Sequence, residues 1–160
     1  MGQKDGSYRL NSHDPGLTPS EDFPNLTPPT HRIIGPETRA YNCIAWACGD
    51  TANWWEPGPD FYWPFPAGLE DCGVGDLVMA TTTLGYVECE DGTLEAGFEK
   101  IALYAHSQFE YTHAARQLPS GIWTSKLRRG ELIEHDTPEA IAGGAYGTIF
   151  QFMKRPTPPS

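Results

Sequence analysis

The sequence predicts an α+β domain in which an N-terminal helix carrying Cys43 packs on a small antiparallel sheet. Two helix-compatible stretches, around residues 42–51 and 75–86, precede a cluster of strand-like runs that begins near residue 100. Helical segments followed by consecutive strands belong to a segregated architecture rather than to alternating βαβ units. At 160 residues the chain suits one domain able to bury a core without metals or disulfides.

Residues 1–30 are polar and punctuated by Pro15, Pro19, Pro24, Pro28 and Pro29, which predicts a Pro-rich extended arm. The domain itself is expected over 31–156, with a tail over 157–160. Ile33-Ile34 suggests a short strand leading to Gly35-Pro36. Thr38 and Asn42 are alternative helix starts, and a helix from either is expected to run to about Thr51. An aromatic block follows, with Trp54, Trp55, Phe61, Tyr62, Trp63 and Phe65 interleaved with Pro57, Pro59, Pro64 and Pro66. The prolines rule out a regular helix or a central strand, so the block is expected to be an ordered loop whose rings pack on the core or wall a cleft.

Gly75 to Tyr86 reads as one helix with Leu77, Val78 and Leu84 near one face. The acidic, turn-rich run Glu88 to Gly97 is expected to open the sheet. Ile101 to Ala105 is apolar throughout, as in a buried strand. Phe109 to Leu118 and Gly121 to Leu127 flank Pro119-Ser120 and read as an antiparallel hairpin. Glu131 to His135 adds a further strand. Thr137-Pro138 opens a helical turn, and Tyr146 to Met153 closes the sheet.

Several function classes are excluded by composition. A net charge of −10 disfavours a nucleic-acid or anionic-membrane binder, which needs a surplus of Lys and Arg, and favours neutral or basic partners. No apolar run approaches the roughly 20 residues of a membrane span, and the N-terminus lacks a secretory signal pattern. A cytoplasmic protein is expected, or one exported without a cleaved signal. Cys43, Cys48, Cys72 and Cys89 are read as thiols in a reducing compartment. With no C-x-x-C pair or close Cys/His doublet, neither a metal nor a cofactor is expected.

Chemistry centres on Tyr41-Asn42-Cys43-Ile44-Ala45-Trp46-Ala47. A cysteine at the positive end of a helix capped by Asn42 favours the thiolate, whereas a cysteine beside Ile and Ala is ordinarily a packing residue. A nucleophilic thiol needs a base distant in sequence, and His113, in a predicted strand with small neighbours, is the best candidate.

Cys43 at a helix start, His113 followed by two alanines and a hairpin, and then Trp123-Thr124-Ser125-Lys126-Leu127 resemble the papain-like cysteine peptidase superfamily in order and local pattern. The YNCIAWA, EKIALYA, THAARQL and WTSKL segments are similar to a family of small bacterial proteins without an assigned function, over roughly residues 31 to 156. The resemblance implies a papain-like fold, with Cys43 as nucleophile and His113 as general base. The Cys43 backbone N–H, with the Asn42 side chain, would stabilise an oxyanion. Ser125 or His135 would orient the imidazole. An alignment to the NlpC-type cell-wall peptidases instead puts Glu99 and Lys100 where the catalytic histidine stands, and makes His113 the orienting residue. The implied activity is a cysteine hydrolase or acyltransferase working on an amide or acyl bond through a thioester. The alternative is a catalytically inactive papain-like module that binds a protein or peptide through its aromatic loop, with Trp54, Trp55 and Trp63 as contact residues.

Overall fold

A computed structural model describes residues 23–25, 31–68, 71–127 and 130–158. Seven strands form one antiparallel sheet: β1 (His31–Gly35), β2 (Val87–Cys89), β3 (Phe98–Ser107), β4 (Glu110–Gln117), β5 (Trp123–Lys126), β6 (Leu132–His135) and β7 (Thr148–Pro156). Their order across the sheet is β1-β6-β5-β4-β3-β7-β2. Two helices accompany it, the five-residue α1 (Cys43–Ala47) and the nine-residue α2 (Val74–Thr82), with a 3-10 turn at Pro138–Ile141.

The molecule is therefore sheet-dominated, which corrects the expected papain-like α+β fold with its N-terminal helix. One physical reason is that α1 stops early. Gly49 takes the left-handed conformation (φ 84). Its N–H donates to Trp46 O while Asp50 N–H donates to Ala45 O. Those two bonds are a Schellman motif, which closes the helix four residues before Thr51. A second reason is the breadth of the sheet: Val87–Cys89, where the run expected to open the sheet begins, pair with Phe152 to Lys154 of β7 and form its edge.

Side-chain alternation divides the core into two layers, one on each face of the sheet. Ile101 and Leu103 of β3, Ala114 of β4 and Met153 of β7 meet α1, α2 and Trp55 on the helical face. Ala102, Tyr104 and Ala115 meet Trp123, Leu127, Ile133, the 3-10 turn and Tyr146 on the other face. A register shift in β4 puts Thr112 and His113 in succession: Tyr104 pairs with His113, and Ala105 already pairs with Tyr111. Tyr111 and Ala114 thus share the helical face, while the two residues between them serve the opposite one.

Most of the expected arm lies outside the described residues. Phe23 is an exception, fully buried against Tyr146 at 5.2 Å between ring centroids. Asn25 Nδ2 donates to the carbonyls of Glu139 and Ala142. The charged edge at Glu95, Glu99 and Lys100 is structured. Lys100 is buried, with its ammonium bonded to Asp91 O and beside the carboxylates of Asp91 and Glu95, and Arg155 pairs with Glu99.

Candidate functional site

Asn42 caps α1 as its sequence position suggests, but its side chain does more. Its Oδ1 accepts from Ala45 N–H at 3.1 Å and from Trp55 N–H at 3.2 Å, and its Nδ2 donates to Trp55 O at 2.7 Å. Both ends of the amide are consumed in tying the helix start to the aromatic loop. Asn42 is therefore a structural cap and not a donor held ready for an oxyanion. Cys43 is buried beneath it among Ile44, Ala45, Trp55 and the helical face of the sheet. Its neighbour Cys48 is pushed up to about 12 by burial. The sheet side of α1 is fixed by Trp46, whose indole donates to Thr124 Oγ1 at 2.8 Å beneath the Arg116 guanidinium.

His113 faces the other way. Its ring stacks on Tyr146 at 4.0 Å and meets the edge of Tyr104 at 5.3 Å, both in the opposite core layer. The backbone of the sheet stands between this imidazole and the Cys43 thiol. The register shift that sends Thr112 and His113 to one face accounts for it. The structure thus does not bring Cys43 and His113 together as a dyad.

It does bring together the other three residues drawn from the same constellation. His113 Nε2 lies 3.0 Å from Ser125 Oγ, and Ser125 Oγ lies 2.8 Å from His135 Nε2. His135 Nδ1 donates to Thr137 O at 2.8 Å, which fixes its tautomer. The remaining Nε2 of neutral His135 must then accept from the Ser125 hydroxyl, and that hydroxyl in turn accepts from His113 Nε2–H. Burial pushes His135 down to about 4, with His31 acting in the same direction and the Thr137 carbonyl opposing it. All three side chains are completely enclosed. The row joins β4, β5 and β6 through their apolar side and is enclosed from solvent, so Ser125 and His135 are cross-strand ties.

The aromatic loop is the surface feature that remains. Its base is pinched by Glu56 N–H donating to Tyr62 O at 2.9 Å and Tyr62 N–H donating to Trp54 O at 3.2 Å. Gly58, at φ 123, makes the turn at its tip. Trp55 is a core residue, 3% exposed, and its indole donates to Asp50. Burial alone would raise the Asp50 carboxyl, but donors from Trp55, Asn53 and Ala52 outweigh it and hold the group below the usual range. Trp63 is half-buried and stacked on Tyr111 of β4 at 6.1 Å. Trp54 packs on Phe61 and donates to Glu56.

Of the three expected contact residues, then, Trp55 is committed to the core, and Trp54 and Trp63 are anchors. The rings that face outward are Phe61 and Tyr62, at 47% and 44% exposure. Phe61, with Trp63 and Phe65, lines an open trough of about 560 Å³ braced by Pro59, Pro64 and Pro66, and Tyr62 lies beside it in the chain. The sequence marks the whole aromatic block and does not single out Phe61 and Tyr62. That Phe61 and Tyr62 turn outward while Trp63 turns in becomes readable only once the loop is known to be pinched at Tyr62.

Among the described residues no helix is long and apolar enough to cross a membrane, and no group of three His, Cys, Asp or Glu residues that could hold a metal ion is gathered. No curated protein and no solved structure matches the chain. The model of a domain of unknown function, DUF7689, matches residues 32–154, from within β1 to within β7, taking in α1, the aromatic loop and the buried histidine row; the chain belongs to that family.

Proposed function

We propose that this domain is a binding module that engages a peptide or protein segment through the aromatic loop over residues 54–66. The observation that carries the reading is the outward pair Phe61 and Tyr62, held on a loop whose base is hydrogen-bonded and whose flanks are braced by proline. Rings pre-positioned in this way lose little conformational entropy on binding, and covering them removes apolar area from water. Aromatic clusters of this kind concentrate binding energy in a few residues. The separation of Cys43 from His113 and the enclosure of Ser125 and His135 favour this reading over hydrolysis.

The test starts with a displayed library of random short peptides selected on the full chain, followed by calorimetric titration of the enriched sequences. Phe61→Ala and Tyr62→Ala should each weaken binding at least about tenfold, equivalent to about 1.4 kcal/mol. Cys43→Ser should leave the affinity within about twofold, because the thiol lies beneath α1 and outside the trough. Enriched peptides indifferent to both loop variants, or lost only with Cys43→Ser, would overturn the proposal.

A further inference from the structure

The chemistry around the trough narrows the partner, on the footing that the aromatic loop is a binding surface. Between Arg39 and Lys100 the sequence contains no Lys, Arg or His, while about half of its 21 acidic residues fall there. That interval builds the loop and the turn beside it. Trp63 of the trough stacks on Tyr111, and Tyr111 N–H donates to Cys72 O at 2.8 Å, which places the turn before α2 next to the loop. Around Cys72 stand the carboxylates of Glu56, Asp76, Asp71 and Glu110. After burial, these are what push its thiol up. Asp60 is exposed on the trough lip between Pro59 and Phe61.

A second apolar anchor closes the far end. Val74 N–H donates to Gln108 O, and Gly73 lies against the backbone of Phe109. The Phe109 side chain, 76% exposed, is thereby set beside Glu110 at the other side of the turn. The surface runs from Phe61 through the carboxylates to Phe109, and among the described residues the charged groups named around Cys72 at its centre are all acidic.

We infer that the occupant is a cationic polypeptide segment, with Lys or Arg side chains set against the carboxylates of Glu56, Asp60, Asp71 and Glu110 and an apolar residue seated in the Phe61 trough. Two features fit this chemistry. Ammonium and guanidinium groups gain from both carboxylates and ring faces. An acidic patch attracts positive segments and repels acidic ones, which supplies discrimination as well as attraction.

The experiment takes peptides from the selection on the full chain that lose affinity with Phe61→Ala. They are expected to carry Lys or Arg, and replacing those residues with Gln should weaken binding more than about tenfold. Raising the salt from 50 mM to 500 mM should weaken it several-fold, roughly as screening of surface charges predicts. The double variant Asp60→Asn/Glu110→Gln should cost about fivefold or more, while Glu88→Gln/Glu90→Gln, which removes as much charge at the β2 edge, should leave binding close to wild type. Phe61-dependent peptides that are neutral or acidic, and indifferent to salt and to the double variant, would overturn the cationic partner while leaving the aromatic loop as a binding surface. A selection yielding no Phe61-dependent peptide would remove the surface, and this inference with it.

Discussion

Ser125→Ala is expected to lower the unfolding free energy by about 3 kcal/mol, a large effect for removing one oxygen atom. The hydroxyl is both acceptor for His113 Nε2–H and donor to His135 Nε2, and all three side chains are fully buried. Deleting it deprives one buried donor and one buried acceptor of their shared partner, and each such loss costs about 1 to 3 kcal/mol. The alanine itself suits a strand position opposite Ile133 and leaves a gap of only one atom. Urea denaturation followed by far-UV circular dichroism reads the effect as a lower midpoint at an unchanged slope. A loss under about 1 kcal/mol would show that the row of ties is not a structural unit.

Acid should act on the same place. His135 is held neutral in the fold, down to about 4, chiefly by burial. The unfolded chain carries an ordinary histidine that titrates near 6.5. Above about pH 6.5 both states hold the ring neutral and its contribution is fully present. Between about 6.5 and 4 the unfolded state binds a proton that the folded state refuses, so stability falls with pH, by about 3 kcal/mol in total, and the decline levels off below about 4. Protonation also conflicts with the hydrogen bonds. A charged His135 would present Nε2–H to a Ser125 oxygen already facing His113 Nε2–H, with no ring nitrogen left to accept the hydroxyl proton. Unfolding free energies for wild type and His135→Gln measured from pH 7.5 to 4 should diverge in slope, the variant being flatter by this amount. Parallel slopes would contradict the assignment.

Much of the element order is legible in the sequence because it rests on local signals. The hairpin around Pro119-Ser120 and the strand at 101–105 follow from turn chemistry and continuous apolar character, and Leu118 N–H indeed bonds Ile122 O across that turn. The cap at Asn42 was equally readable. What failed depends on non-local facts. The run from Glu88 is expected to open the sheet, but three residues carry no periodic mark that would name β7 as the partner of Val87–Cys89. A helix ended by a single left-handed glycine looks longer than it is.

The candidate site shows the same division. Residue types drew attention to His113, Ser125 and His135, and these do form a hydrogen-bonded set. Which face of the sheet His113 occupies turns on the one-residue register shift beside Tyr111, and such a shift inverts the side chains of its strand beyond it. A thiol and an imidazole at suggestive spacings therefore ended on opposite sides of the sheet. The exposed rings of Phe61 and Tyr62 were visible as part of an aromatic block, but not as its outward members, because that depends on the backbone pinch at Glu56, Trp54 and Tyr62.

The five tryptophans offer the most direct test of the binding surface, since each indole N–H gives its own resonance in a nitrogen–proton correlation spectrum. Trp54 and Trp63 belong to the aromatic loop and its trough, whereas Trp123 lies in the core layer on the opposite face of the sheet. Titrating a selected peptide into the labelled full chain should move the Trp54 and Trp63 signals in a saturable manner and leave Trp123 in place. Saturable shifts at Trp123 with Trp54 and Trp63 unmoved would contradict the account.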